Sequence, residues 1–522
     1  MSFNKHKNIN NKNILIASSA GGLYSQMIFE STVASGLRDK GANVEFLLCN
    51  KSLPSCIMPS VDDINEDDYL LNGAKKICNS CFDVASNYLR KANFKINLLS
   101  QVKDKDIDYY NNYLKENFIL NEVNKLKYRN INIGEHAVSG TLRYYRKTNF
   151  TKERLYNDIL KNYLVSAMMT VDSFYNLLKS KKFDKILLNH GIYVPQGVIA
   201  EIAKKENIQF IVWCPGARKK TYSFSPNDTY HREIIYEDNK TWENIDLNEK
   251  KVKIINEYLK SRSNSKDDGK NDWVYAPTST NDNVDLLFDR LKIDPNKPLI
   301  GLATNVMWDA QIDYPTNFFK NILDWIFFTV DHFIKNQNLQ LIIRVHPAEI
   351  DHTKPSKQKV VDELYKKYGS LPSNIFLVKP DENFNTYKIL DKCENILIYG
   401  SRLGIEMSAL GKMVVVCGEG FIRNKKIAID VNSKVHYQKI LENLPLENLM
   451  INNRLIRAKK YAYHFFIRRM IPIKVIDEVP LKWPNIAVNK NFQELLKLKK
   501  DQGFEKICKS IINDEKFVFD DY

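Results

Sequence analysis

Apolar residues fall in short runs set apart by small or polar turns, and the runs alternate with stretches of helical period. Ile14–Ala17 is one such run, Ser18–Gly22 a small-residue turn, Leu23–Lys40 a helix closed by Gly41, and Val44–Cys49 (VEFLLC) a second run. Two short apolar runs joined through an amphipathic helix predict a parallel strand pair with its crossover. The same pattern returns at Ile186–Asn189, with a helix over Gln196–Lys205 and a strand over Ile208–Trp213. Residues 82–180 between these units read as mainly helical.

The pattern breaks at SRSNSKDDGKN, which has no apolar period and predicts a linker over 261–275. Strands are then predicted at 299–303, 339–345, 375–378, 396–399 and 413–417, with helices over 317–335, 356–367, 386–393 and 402–410 between them. Such alternation predicts a doubly wound parallel sheet. The expected fold is α/β with two Rossmann-like domains facing a cleft. Residues 1–260 form the first, with a helical insertion at about 82–180, and 276–480 form the second. Residues 481–522 follow as a Lys-rich amphipathic helical tail.

Composition narrows the field. The chain has 522 residues, 44% of them hydrophobic and 11% aromatic, which is ample for two cores and excludes global disorder. No apolar run approaches the roughly 20 residues that cross a bilayer. The start, MSFNKHKNINNKN, is basic with no apolar stretch behind it, so a cytoplasmic protein is expected. Lys and Arg number 77 against 62 Asp and Glu, a net charge of +15, which suits an anionic partner. The basic clusters are short and scattered, so nucleic acid is not the expected partner. The basic surface and the Lys-rich tail suit peripheral contact with the anionic inner face of a membrane.

In an open α/β sheet, ligands bind beyond the carboxyl ends of the strands. Arg344-Val345-His346-Pro347 stands at one such end, where a guanidinium and an imidazole suit an anionic leaving group. Tyr399-Gly400-Ser401-Arg402-Leu403-Gly404-Ile405-Glu406 stands at another, where a glycine turn and the Ser401 hydroxyl suit phosphate oxygens and Glu406 suits ribose hydroxyls. A loop-capping histidine and an ordinary helix cap are the structural alternatives at these two places.

The order RVHPAE, NFNTYKIL, ILIYGSRLGIEMSALGKMVVVCG resembles the C-terminal half of capsule polysaccharide biosynthesis proteins and related two-domain (GT-B type) glycosyltransferases, over about residues 299–420. The resemblance implies that His346 binds the donor phosphate, that Ser401 and Gly404 line its pocket with Arg402 in the same turn, and that Glu406 holds the ribose. It places Thr304 and Asn305 on the same cleft, and implies catalysis without a metal, Arg344 and His346 standing in for one.

The acceptor side is expected in the first domain. Gly21 and Gly22 follow its first strand and allow close approach of backbone. Glu135, His136 and Arg143 lie within ten residues of one another, and His190 stands at a strand end. Glu135, His136 and His190 are the candidates for the base that takes a proton from an acceptor hydroxyl. Cys49, Cys56, Cys78 and Cys81 form a separate group, candidate ligands of a structural zinc, with unligated thiols or a redox pair as alternatives. The expected function is transfer of a sugar from a nucleotide-sugar donor to a capsular or other surface polysaccharide, or to its lipid-linked precursor. A non-hydrolysing nucleotide-sugar epimerase and a non-catalytic glycan- or nucleic-acid-binding protein are the alternatives.

Overall fold

The computed structural model describes residues 12–62, 64–99, 104–149, 154–263, 281–310, 317–351, 354–448, 453–479, 485–497 and 499–520. The strands of its two main sheets are β1 (Asn13–Ser19), β2 (Asn43–Cys49), β3 (Lys95–Leu99), β4 (Lys185–Asn189), β5 (Gln209–Pro215), β6 (Thr221–Pro226), β7 (Leu299–Ala303), β8 (Gln340–Arg344), β9 (Ile375–Val378), β10 (Asn395–Ile398), β11 (Met413–Val416), β12 (Ile429–Asp430) and β13 (Ile471–Pro472). The first sheet runs β3-β2-β1-β4-β5-β6-β13 and the second β9-β8-β7-β10-β11-β12. Strands β3 to β5 of the first sheet and all of the second pair in parallel.

Each sheet therefore carries the Rossmann order, reversing direction between β1 and β4 in one and between β7 and β10 in the other. The expected two-domain α/β architecture holds. Its central strands are continuous apolar runs because helices cover both faces. In the first domain, helices Tyr24–Asp39 and Gln502–Asn513 bury Met27, Phe29 and Val33 with Phe504 and Ile507 on one face. Helices Tyr156–Ser180 and Gln196–Lys205 bury Tyr163, Met168 and Val198 on the other.

Four strands of the two sheets went unread, the two-residue β12 among them. β3 lies inside the stretch expected to be helical; at a sheet edge only alternate residues are covered, so KINLL carries no apolar run. β6 and β13 extend the same sheet in antiparallel sense. The tail also departs from one long helix. Residues 485–488 pair with 476–479 as a hairpin, and the helices that follow are Phe492–Lys497 and Gln502–Asn513. The break has local causes: the Asp501 carboxylate caps Phe504 N at 3.0 Å, and a Cβ at Gly503 would come within 1.7 Å of Pro472 O. The apolar face of the last helix is spent against helix Tyr24–Asp39. Ser261–Ser263 end the helix Glu249–Ser263, and the rest of the expected linker lies outside the described residues. Among the described residues no helix is long and apolar enough to cross a membrane.

Candidate functional site

On the C-terminal wall of the cleft the strand ends are locked together. Thr304 N donates to Arg344 O at 3.1 Å, and the Thr304 hydroxyl accepts from His346 N at 3.0 Å. His346 Nδ1 accepts from Ala348 N at 3.0 Å, so the neutral ring carries its proton on Nε2 and is a donor there. The Ser401 hydroxyl accepts from Leu403 N at 3.2 Å, opening the short helix Leu403–Ala409. The side-chain oxygen of Asn305, just beyond β7, is buried and has no partner among the described residues.

Two expected donor ligands do other work. Arg344 is buried, and its guanidinium donates to the Thr386 hydroxyl at 3.1 Å and to the carbonyls of Lys379, Glu382 and Phe384. Burial lowers its pKa to about 10. It builds the loop after β9, with four of its five N–H groups bonded to protein oxygens. Glu406 is also buried; it accepts from Tyr258 OH at 2.5 Å and Tyr387 OH at 2.6 Å and pairs with Arg262 Nε at 3.3 Å. It fastens the helix Glu249–Ser263 to the second domain, both of its oxygens being bonded to protein. Gly404 likewise serves packing: a Cβ there would stand 2.4 Å from Ile398 Cδ1.

The N-terminal wall is differently made. Glu135 opens the helix Gly134–Tyr145 and is ion-paired with Arg232. His136 hydrogen-bonds Ile192 O through Nδ1 at 2.6 Å, and a Cβ at Gly197 would lie 2.1 Å from that nitrogen, so the ring is walled in. Its position ties that helix to the loop after β4, with its Nε2 buried and without a partner among the described residues. His190 stands at the end of β4 with φ +56°, its Nδ1 buried and without a partner among the described residues. Its ring lies 6.2 Å from Tyr193 and 5.7 Å from Tyr230, and burial, aided by the charge of Arg143, pushes its pKa down to about 4. The imidazole is neutral and able to accept a proton.

Arg143 joins the walls. It donates to Asp309 Oδ1 at 2.7 Å and Tyr193 OH at 3.0 Å, with its guanidinium 4.9 Å from the Tyr193 ring centre and 5.4 Å from that of Trp308. Burial opposes its charge, yet Tyr193 and Asp309 hold its pKa above the usual arginine value. Asp309 follows β7, so this ion pair closes one domain on the other.

Gly21 and Gly22 approach protein, not a ligand. A Cβ at Gly21 would lie 2.3 Å from Ala85 Cβ and one at Gly22 2.7 Å from Met58 Cε. The four candidate cysteines do come together, around a cavity of about 20 Å³ shared with Met58 and Pro195. Cys81 Sγ accepts from Gly22 N at 3.0 Å. Among the described residues, however, no three His, Cys, Asp or Glu side chains are arranged to hold a metal ion. Burial and neighbouring thiols raise the pKa of Cys78 and Cys81 to about 11 and that of Cys56 further, so the thiols are protonated.

Sequence reasoning missed His231 and Asp309. His231 lies in the first turn of the helix Tyr230–Ile235, capped by Thr229 behind the unread strand β6. Its ring packs 4.0 Å from Tyr230 and 5.2 Å from Phe421 of the second domain. Asp309 stands six residues beyond β7, in a loop that ordinary strand-end reasoning would have searched.

No family model and no curated protein matches the chain. Solved structures of similar arrangement include a Thermosulfurimonas dismutans KpsC, beta Kdo 2,4 transferase, at 12% identity, covering 60% of this chain and 87% of that one with a TM-score of 0.35. A KpsC beta Kdo 2,7 transferase from the same organism matches at 14% identity, covering 63% and 90% with a TM-score of 0.32. A UDP-GlcNAc 2-epimerase from Neisseria meningitidis, bound to UDP-GlcNAc, matches at 12% identity, covering 86% and 97% with a TM-score of 0.21. The strand order of the two sheets identifies the fold as a pair of Rossmann-like domains.

Proposed function

We propose that the protein is a glycosyltransferase that takes a sugar from a nucleotide-sugar donor and passes it to a surface polysaccharide or its lipid-linked precursor. The observation that carries this reading is the cleft itself: two sheets of one strand order present their carboxyl ends to each other, with His346, Ser401 and Arg402 on one side and His190 on the other. The C-terminal wall would take the donor, His346 Nε2–H and Arg402 meeting the charge that develops on the leaving phosphate without need of a metal. His190, neutral and buried, would take the proton of the acceptor hydroxyl. The Arg143–Asp309 pair would hold the cleft shut against water.

The test is a thermal-shift panel of UDP-, CMP-, GDP-, CDP- and dTDP-linked sugars on wild type and His346→Ala, with no added metal. A rise of several degrees with one nucleotide, absent in the variant, is expected. Product analysis then separates transfer from epimerisation, since an epimerase returns the sugar on its nucleotide. Folded wild-type protein that responds to none of the panel would sink the reading.

A further inference from the structure

We propose that the first domain carries a second binding site, for a segment of uncharged glycan, in a cavity at the end of its sheet remote from the cleft. The cavity measures about 530 Å³, within the range of ordinary ligand sites. Arg129 reaches it from the turn between Lys127–Tyr128 and Ile131–Asn132, Tyr175, Asn176 and Lys179 from the end of the helix Tyr156–Ser180, and Lys205 and Glu206 from the end of the helix Gln196–Lys205. Those two helices lead into the first residues of β4 and β5. The cavity therefore lies by the amino ends of the strands, away from the carboxyl ends that form the cleft.

Hydrogen bonds build its framework and leave other groups over. Asp172 takes Tyr110 OH at 2.8 Å and Tyr128 OH at 2.9 Å on one oxygen and faces Arg129 Nε at 2.8 Å with the other. Lys205 Nζ donates to Arg129 O at 2.9 Å, pinning a turn in which Arg129 and Asn130 both take left-handed backbone, φ +49° and +62°. Such a turn favours asparagine and glycine, so Arg129 is held there at a cost. Tyr175 OH donates to Glu206 Oε1 at 2.9 Å, and Lys205 Nζ stands 5.8 Å from the centre of the Tyr175 ring. The framework does not use the terminal nitrogens of Arg129, the ammonium of Lys179, the Asn176 amide or Glu206 Oε2, none of which bonds a described residue.

Charge decides between ligands. Among the described residues the lining carries three cations, Arg129, Lys179 and Lys205, and three carboxylates, Asp106, Asp172 and Glu206, so a phosphate or a polyanion meets no surplus of positive charge. A sugar suits the same wall. Each of its hydroxyls donates and accepts at once, so Arg129 and Lys179 can give bonds to its oxygens while Glu206 takes one and Asn176 does both. The half-buried Tyr175 ring adds apolar surface for the C–H face of a pyranose. The inference stands on the cavity alone, and the catalytic reading adds one consequence. A polymer gripped here stays near the cleft when its end leaves it, because the second hold raises its effective concentration there.

The experiment passes the full chain over an array printed with bacterial capsular and O-antigen polysaccharides, uncharged and acidic, beside an Asn176→Ala, Lys179→Ala double variant. Both residues are exposed on their helix, so the variant should fold, which circular dichroism checks. Wild type is expected to bind one or more uncharged polymers, with affinity changing by less than about twofold between about 50 mM and about 500 mM salt. The double variant should bind at least about tenfold more weakly and keep any nucleotide-sugar melting shift. Wild type that binds no uncharged polymer overturns the inference, as does binding that the folded double variant retains in full. Binding confined to acidic polymers and lost with salt overturns it too, and makes the cavity an anion site. If no nucleotide sugar shifts wild type while polymer binding is lost with the cavity, the catalytic reading falls and this one stands.

Discussion

The carboxyl edges of the two sheets share one strand order and differ in how far their polar groups are committed. Along the second, Arg344, Thr304 and Glu406 are held by the fold, each with protein partners at 3.5 Å or less, while the side-chain oxygen of Asn305 is buried with no partner among the described residues. Along the first, His190 and Ser19 keep buried polar atoms with no partner among the described residues, and His231 does so close by. An edge whose charged groups are tied down is stiff. A buried polar atom without a protein partner is satisfied only when something enters. Such atoms say more about function than the groups the fold has already used.

The largest expected effect follows from this contrast. Glu406→Ala would strand the Arg262 guanidinium and the hydroxyls of Tyr258 and Tyr387 in a buried place, at a cost of about 3–5 kcal/mol. His346→Ala should cost less than Glu406→Ala, because it leaves no buried charge without its counter-ion, while abolishing the nucleotide response. Denaturant titration of both variants checks this, and a stable Glu406→Ala that fails to bind nucleotide would restore the ribose role.

A middle-sized effect lies beneath the open wall. Glu30 accepts from Trp213 Nε1 at 2.8 Å and from the Ser18 hydroxyl, which in turn accepts from Asn189 N at 2.9 Å. Burial raises its pKa from the usual glutamate value to about 7. The native state thus holds the proton more tightly than the unfolded chain does. Stability should be highest below about pH 4.5 as far as this group is concerned, and fall by roughly 3 kcal/mol as pH rises to 7. Glu30→Gln should flatten that part of the stability–pH curve; an unaltered slope would mean the carboxyl is already ionised in the fold.

The smallest effect concerns the thiols. Dialysis against a chelator should move the melting temperature by under about 1 °C, since among the described residues no three His, Cys, Asp or Glu side chains are arranged to hold a metal ion. A drop of several degrees with one equivalent of zinc released would instead make the four-cysteine group a structural metal site.

Much of the fold could be read because both faces of the central strands are covered, so Ile14–Ala17, Leu339–Val345 and Met413–Cys417 stand out as apolar runs. Edge strands such as Lys95–Leu99 lack that signature, and Ile471–Pro472 is too short to show one. The places of His346, Ser401 and His190, each just beyond the carboxyl end of a strand, could be read from the sequence. The site was illegible at Glu406, whose fate is set by Tyr258, 148 residues away, and at Gly21, whose neighbour is a helix some sixty residues on. Spacing along the chain reports what a residue can do; the partners that use up that capacity come from elsewhere.

Lys185 begins the central strand β4, and its ammonium is bonded to Ile511 O and Asp514, at the far end of the chain. β13 and the helix Gln502–Asn513 complete the same domain. A chain made from its N-terminus onward can therefore assemble its second domain before its first is finished. The first must wait, with an uncompensated charge on its central strand, until the segment from Ile471 to Asp514 has been made.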